Sequence, residues 1–257
     1  MVTVRSLQKW HGAGNDFLVD VRSAGEGEPW TSDLARAVCV RATGVGADGL
    51  IVAVLGDPVE MSLYNADGSV AEMSGNGARC LAAAVRRATT SDRDELVVRT
   101  AAGVKTVRLH MENETSGYAS VDIGEVTFGD DIDGAWGVAN VGNPHAAVVD
   151  NEAWSDVTRE ELAAKLAAQL GGANVEFVTV LGPDHLGIRV IERGVGWTLA
   201  CGTGSCAVAA LAHRAGLSGD RVTVENPGGT LRVELTGANA TLSGPVQFIA
   251  DVEWLDA

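Results

Sequence analysis

The chain has 257 residues, 46% of them hydrophobic, and a formal net charge of −15. That length fits one large domain or two smaller ones, and the apolar fraction is enough for a real core. The acidic balance disfavours nucleic acid and anionic membrane as partners, because like charges repel. It leaves room for an anionic small molecule held by the local field of a pocket.

The opening MVTVRSLQKWHG lacks an apolar signal core. No run approaches ~18 uninterrupted apolar residues, so a cytoplasmic protein is expected. A helix is predicted after Thr31 or Ser32, and a second, alanine-rich one from Ser74 to Ala88. The polar MENETSG (111–117) points to a domain boundary near 115–120. Strands are predicted over 121–128, 185–194, 221–226 and 230–235, which are rich in β-branched residues and broken by Gly and Pro. Thr158 with Glu161 reads as a capping box before Leu162, Leu166 and Leu170, with Gly171 ending that helix. A further alanine-rich helix follows Cys201.

The two alanine-rich segments, SGNGARCLAAAVRRA and CGTGSCAVAALAHRA, are copies of one device. Gly75/Gly202, Gly77/Gly204, Ala82/Ala209, Ala83/Ala210, Arg87/Arg214 and Ala88/Ala215 are identical. Gly14-Asn15 matches Gly142-Asn143, Asn65 matches Glu192, and Ala102-Gly103 matches Gly228-Gly229, all at a nearly constant offset. Matches in register along the whole chain indicate duplication of an entire domain. The expected architecture is α+β, with two pseudo-symmetric many-stranded domains, each wrapped around one buried helix. The first covers 1–117 and is joined by the C-terminal strand 245–257; the second covers 118–244.

A helix N-terminus presents unpaired N–H groups and a positive dipole end. It favours an anion such as a carboxylate and can lower the pKa of a thiol placed there. Two such tips, led by Ser74 and Cys201, suit the removal and return of a proton at a carbon centre, with the dipoles stabilising a carbanion-like transition state. The three lysines sit in no motif that would suggest a pyridoxal enzyme, and no cofactor is expected. Taken singly, either Gly-x-Gly reads as a tight turn before it reads as a site. Cys39, Cys80, Cys201 and Cys206 form no CxxC pair and are expected to be reduced, mostly buried thiols. His11, His145 and Cys201 show no short ligand spacing, so no metal is expected.

At these residues the chain resembles diaminopimelate epimerases over nearly its full length. The resemblance is carried by KWHGAGNDFLVD, TGVGADGL, YNADGSVAEMSGNGARC, VGNPHAAVVD, NVEFV, ERGVGWTLACGTGSCA and NPGGTLRVEL, in that order. It implies a cofactor-independent epimerase of LL- and meso-diaminopimelate, with an active site in a cleft between two pseudo-symmetric domains, and a possible homodimer. Ser74 and Cys201 would take the two acid/base positions. Gly75-Asn76 and Gly202-Thr203 would offer backbone N–H groups to the carboxylate at the reacting centre. Asn15, Asn65, Asn143, Asn174 and Arg193 would hold the amino and carboxylate groups, and Glu192 would join them. Glu192 and His145 would also tune the acid/base pair. Arg79, Arg86 and Arg87 read as ordinary helix-face charges, and Trp197 and Leu199 have no functional reading.

The family ordinarily has Cys where this chain has Ser74. A hydroxyl is much less acidic than a thiol, so Cys201 is expected to be the thiolate and Ser74 a proton donor at best. The serine is compatible with a working natural variant, with a Cys-to-Ser substitution, or with a relative of reduced or altered chemistry. Two alternatives therefore stay open: a related racemase or isomerase of another substrate, and a weakly active or inactive diaminopimelate-binding paralogue.

Overall fold

A computed structural model describes residues 3–256. Its chain contacts form two units. The first runs to Val121 and takes the chain back from Gly244; the second is Asp122–Ser243.

In the first unit β1 (Thr3–Gly12) pairs antiparallel with β2 (Asn15–Arg22), and β2 runs parallel to β3 (Gly49–Val54). Next, β4 (Val59–Asn65) pairs antiparallel with β3 and with the short β5 (Val70–Ala71), and parallel with β6 (Glu95–Thr100). The hairpin partners β7 (Gly103–Met111) and β8 (Ser116–Glu125) follow, each antiparallel to its predecessor.

The second unit repeats this order. After β9 (Thr127–Phe128), β10 (Gly137–Asn140) pairs antiparallel with β11 (Pro144–Val149), which runs parallel to β12 (Asn174–Gly182). Then β13 (His185–Glu192) pairs antiparallel with β12 and with the short β14 (Gly196–Thr198), and parallel with β15 (Arg221–Asn226). Finally β16 (Gly229–Thr236) and β17 (Asn239–Asp256) each add antiparallel. The far half of β17 belongs to the first unit, where it pairs with β1. Step for step, the pairing directions of the two units agree, which is the duplicated α+β architecture expected from the repeat.

The helices fall at matching places too. They are α1 (Ser32–Cys39) and α2 (Gly75–Thr89) in the first unit, and α3 (Asp156–Gln169) and α4 (Gly202–Arg214) in the second. Every residue of α2 from Gly75 to Val85 is buried, as is α4 from Gly204 to Ala212. Alanine makes this possible: a helix with short side chains all round lets strands approach it on several sides. Accordingly α2 packs on β1, β2, β3 and β7, and α4 on β10, β11, β12 and β16.

Two local expectations shift. The N-cap of α3 is Ser155, whose hydroxyl accepts from the Thr158 N–H at 3.1 Å, so Thr158 already lies inside the first turn. With the cap three residues earlier, the orphan donor satisfied is the Thr158 N–H and not that of Glu161. The polar 111–117 segment is a hairpin tip, where Asn113 Oδ1 accepts from the N–H groups of Thr115 and Ser116. The chain passes from one unit to the other further on, within β8. Among the described residues no helix is long and apolar enough to cross a membrane.

Candidate active site

Both alanine-rich helices begin the same way. Ser74 is the N-cap of α2, in extended conformation, and its Oγ accepts from the Gly77 N–H at 3.0 Å. Cys201 is the N-cap of α4, also extended, and its Sγ accepts from the Gly204 N–H at 3.3 Å. An N-cap side chain meets the third residue of its helix, so the Gly-x-Gly spacing fixes where each hydroxyl or thiol sits. The remaining first-turn positions are those assigned to carboxylate binding: Gly75 and Asn76 in one copy, Gly202 and Thr203 in the other.

Behind the Ser74 tip lies a relay of amides. Asn76 Nδ2 donates to Asn15 Oδ1 at 3.1 Å, and Asn15 Nδ2 donates to Asp48 Oδ2 at 2.8 Å. Asp48 also receives Arg41, which shares its guanidinium with Asp16; Lys9 pairs with Asp16 at 3.0 Å. At the other end of the relay, Arg79 Nη2 donates to Asn76 Oδ1 at 2.9 Å. Arg79 is fully buried, which corrects its reading as a helix-face charge. Arg86 and Arg87 do lie outward and pair with Asp94 and Asp251. Asn65 is not drawn into the relay: its Nδ2 donates to Ser69 Oγ at 3.0 Å across the turn that ends β4.

The Cys201 tip has a different lining. His145 is fully buried, with Nδ1 at 2.7 Å from Glu176 Oε1 and Nε2 at 3.0 Å from Asn143 Oδ1. Asn174 Nδ2 lies 3.8 Å from the Cys201 sulfur, and Asn174 Oδ1 accepts from the Arg193 N–H at 3.0 Å. Thr203 Oγ1 is 3.5 Å from Sγ, and Asn226 Oδ1 accepts from the Cys201 backbone N–H. Glu192 ends β13 with Oε1 receiving the Thr198 hydroxyl at 2.6 Å. Among the described residues no carboxylate pairs with the Arg193 guanidinium, whose stem packs beside Gly172.

Electrostatics bear on the expected thiolate at Cys201. Burial pushes the Cys201 thiol well above its ordinary pKa, and the nearby Glu192 and Glu176 carboxylates push it further in the same direction. The Thr203 hydroxyl and the Gly204 N–H act the other way and do not win. The balance at Cys201 thus runs towards the thiol, opposite to the direction in which the helix tip alone would push it. Glu192 is likewise held above the usual carboxylate range, first by burial and then by Glu176. All four cysteines are buried and lie outside any disulfide. Burial pushes Cys39 and Cys80 up to about 12, which leaves both inert.

The structure brings His145 and Cys201 together, although the sequence separates them widely. With Glu176 they offer nitrogen, oxygen and sulfur atoms within 4.8 Å of one another, while both ring nitrogens of His145 are already engaged by Glu176 and Asn143. His11 lies elsewhere, against Gln247. Sequence reasoning missed Glu176 and Arg79. The available signals were an acid inside the apolar run NVEFVTV and an arginine inside an alanine run. Trp197, without a functional reading, is a packing residue: its ring lies 5.9 Å from that of Phe177, tilted by 38°, beneath the Arg189 guanidinium, and Nε1 donates to Glu160. Leu199 is exposed.

The chain is similar to known proteins along nearly its whole length. A family profile described as diaminopimelate epimerase matches residues 7–129 and 137–249. The diaminopimelate epimerase of Coxiella burnetii (strain Dugway 5J108-111) is 35% identical over 281 aligned positions, covering 98% of this chain and 99% of that protein. The diaminopimelate epimerase of Synechocystis sp. is 37% identical, covering 95% and 96%. Among solved structures, one described as a predicted epimerase from Pseudomonas aeruginosa superposes with a TM-score of 0.77 at 17% identity, covering 98% of this chain and all of that one. That likeness speaks for the fold alone; the profile and the curated relatives carry the assignment. On their strength, this chain belongs to the diaminopimelate epimerase family.

Proposed function

We infer that the protein interconverts LL- and meso-diaminopimelate without a cofactor, by removing the α-proton and returning one to the carbanion. The observation that carries this reading is the pair of matched N-caps. Ser74 and Cys201 each receive the N–H of the third residue of a buried helix, in a chain of this family. Because Ser74 Oγ accepts from Gly77, its own O–H remains a donor. Ser74 is thus suited to give a proton and poorly suited to take one.

Cys201 starts as a thiol, so it too can donate. To act as a base it must first pass its proton on, and Glu192, whose burial gives it an elevated affinity for protons, is the acceptor we assign. Asn15 and Asn76 at one tip, and Asn143 and Asn174 at the other, supply neutral amides that bind a zwitterion without adding net charge. Asn65 would contribute once its hydrogen bond to Ser69 is exchanged for the substrate. Arg193 supplies a guanidinium for the distal carboxylate. That demand for a second carboxylate favours diaminopimelate over a small monocarboxylate. The setting we propose is cytoplasmic, and a homodimer is the assembly to look for by light scattering.

The test is α-proton exchange in deuterated water with each isomer. Deuterium should enter at the α-carbon of at least one isomer, with the other isomer appearing. Tight binding of both isomers with no exchange from either would instead leave a binding protein that has lost turnover.

A further inference from the structure

We propose that Glu176 is a positioning residue of the Cys201 tip: its carboxylate holds a proton on His145 Nδ1, sets the ring against the Asn143 amide, and keeps the proton on Cys201. The inference deepens the reading of Cys201 as the proton-carrying group of an epimerase and rests on it.

Glu176 sits inside β12, fully buried, between Ala147 on β11 and Val190 on β13, with Val175 and Phe177 as its chain neighbours. A carboxylate in such a place is costly unless it is paired. One oxygen, Oε1, is 2.7 Å from His145 Nδ1; the other, Oε2, meets no hydrogen-bond partner among the described residues. A Cβ placed on Gly204 would lie 2.5 Å from Oε1 and 3.2 Å from the Cys201 sulfur. Acid, imidazole, glycine and thiol therefore form one packed stack at the head of α4.

The duplication supplies the control. In the first unit the strand place of Glu176 is taken by Ile51 and that of His145 by Phe17, as the register of β2, β3 and β4 shows. Ile51 Cδ1 lies 3.2 Å from a Cβ placed on Gly77, just as Glu176 Oε1 crowds Gly204. The same scaffold thus folds with two apolar side chains at these positions. The folding of the unit does not call for an acid and an imidazole there; the thiol does.

The titratable groups facing Cys201 are Glu192 from β13, Glu176 from β12 and His145 from β11. Around them stand the neutral Asn174, Thr203 and Gly204 N–H. Two of the three titratable groups are acids, and only one of these acids is pinned to a partner ring. Removing the Glu176 charge while keeping its shape should therefore release the thiol proton more easily.

The experiment is the pH dependence of Cys201 alkylation by iodoacetamide, which reacts with thiolate, read by peptide mass spectrometry on the full chain. In Glu176→Gln the midpoint should fall by about one to three pH units, so that Cys201 is alkylated at least about tenfold faster at neutral pH. Glu176→Asp, which keeps the charge, should stay near the parent midpoint. An unchanged or higher midpoint in Glu176→Gln overturns the proposal. A second measurement needs no folded variant: in the parent protein labelled with 15N-histidine, His145 Nδ1 should carry a hydrogen-bonded proton, and a bare Nδ1 overturns the assignment. Neither readout uses diaminopimelate. A shifted midpoint without α-proton exchange would sink the epimerase reading and spare Glu176, and exchange with an unshifted midpoint would do the reverse.

Discussion

Ile51 and Glu176 occupy equivalent places in the two units, each directly beneath the second glycine of a Gly-x-Gly helix tip. One tip therefore stands on a hydrocarbon and the other on a carboxylate. A buried arginine compounds the difference. Arg79 lies in α2 where α4 has Cys206, so the Ser74 side carries a buried cation and the Cys201 side two acids. The backbone is duplicated, while the electrostatics are not.

Ser74→Cys should raise α-proton exchange, with deuterium entering both isomers at comparable rates. A thiol is far more acidic than a hydroxyl, and a competent acid/base group contributes about 10²–10⁴-fold. An exchange rate left unchanged would remove position 74 from the chemistry. Ser74→Ala, which deletes the cap, should cost about 1 kcal/mol of stability, measured by denaturant unfolding.

Stability should fall as pH rises beyond the ordinary carboxylate range. The raised affinity of Glu192 for its proton means the folded state keeps a proton that the unfolded chain has already lost. Its contribution is full below the unfolded value and is lost as pH climbs through the raised one. Glu192→Gln has no such proton, so its Tm relative to the parent should increase with pH over this window. A constant Tm difference would contradict the assignment. The same variant should slow exchange wherever Cys201 must act as base.

Arg79→Met should weaken the amide relay. Without the guanidinium, Asn76 loses a 2.9 Å partner and Asn15 in turn loses its fixed neighbour. A net loss of about 1–3 kcal/mol in stability is expected, together with a higher KM for diaminopimelate. A change confined to kcat would place Arg79 in the chemical step rather than in binding.

Gly204→Ala should be more harmful than its small size suggests, because the new methyl meets both Glu176 Oε1 and the Cys201 sulfur. Overpacking of this kind costs about 1–3 kcal/mol. Combined with Glu176→Ala, the loss should be partly recovered, with a coupling of about 0.5–3 kcal/mol in a double-mutant cycle. Additive losses would show that the two positions do not press on each other.

Much of the site was legible because an N-cap is a local device. Once Ser74 and Cys201 precede Gly-x-Gly, the hydrogen bonds to Gly77 and Gly204 follow from helix geometry. The burial of α2 and α4 was readable from alanine on every face, and the duplication from pairs such as Asn15/Asn143. The N-cap of α3 was misplaced because Ser155 and Thr158 are both plausible caps, and local sequence does not choose between them.

The sequence by itself determined that two equivalent helix tips carry Ser74 and Cys201, and that the chain resembles an epimerase family. Only the tertiary structure decided what lies under each tip. His145 and Glu176 are 31 residues apart and meet because β11 and β12 run parallel. The Cys201 thiol is pushed up first by burial and then by Glu192 and Glu176, and Glu176 reaches it only through the fold. Spacing along a chain fixes local hydrogen bonds, whereas the balance of charge and desolvation at a buried thiol is set by residues that come together only in the folded protein.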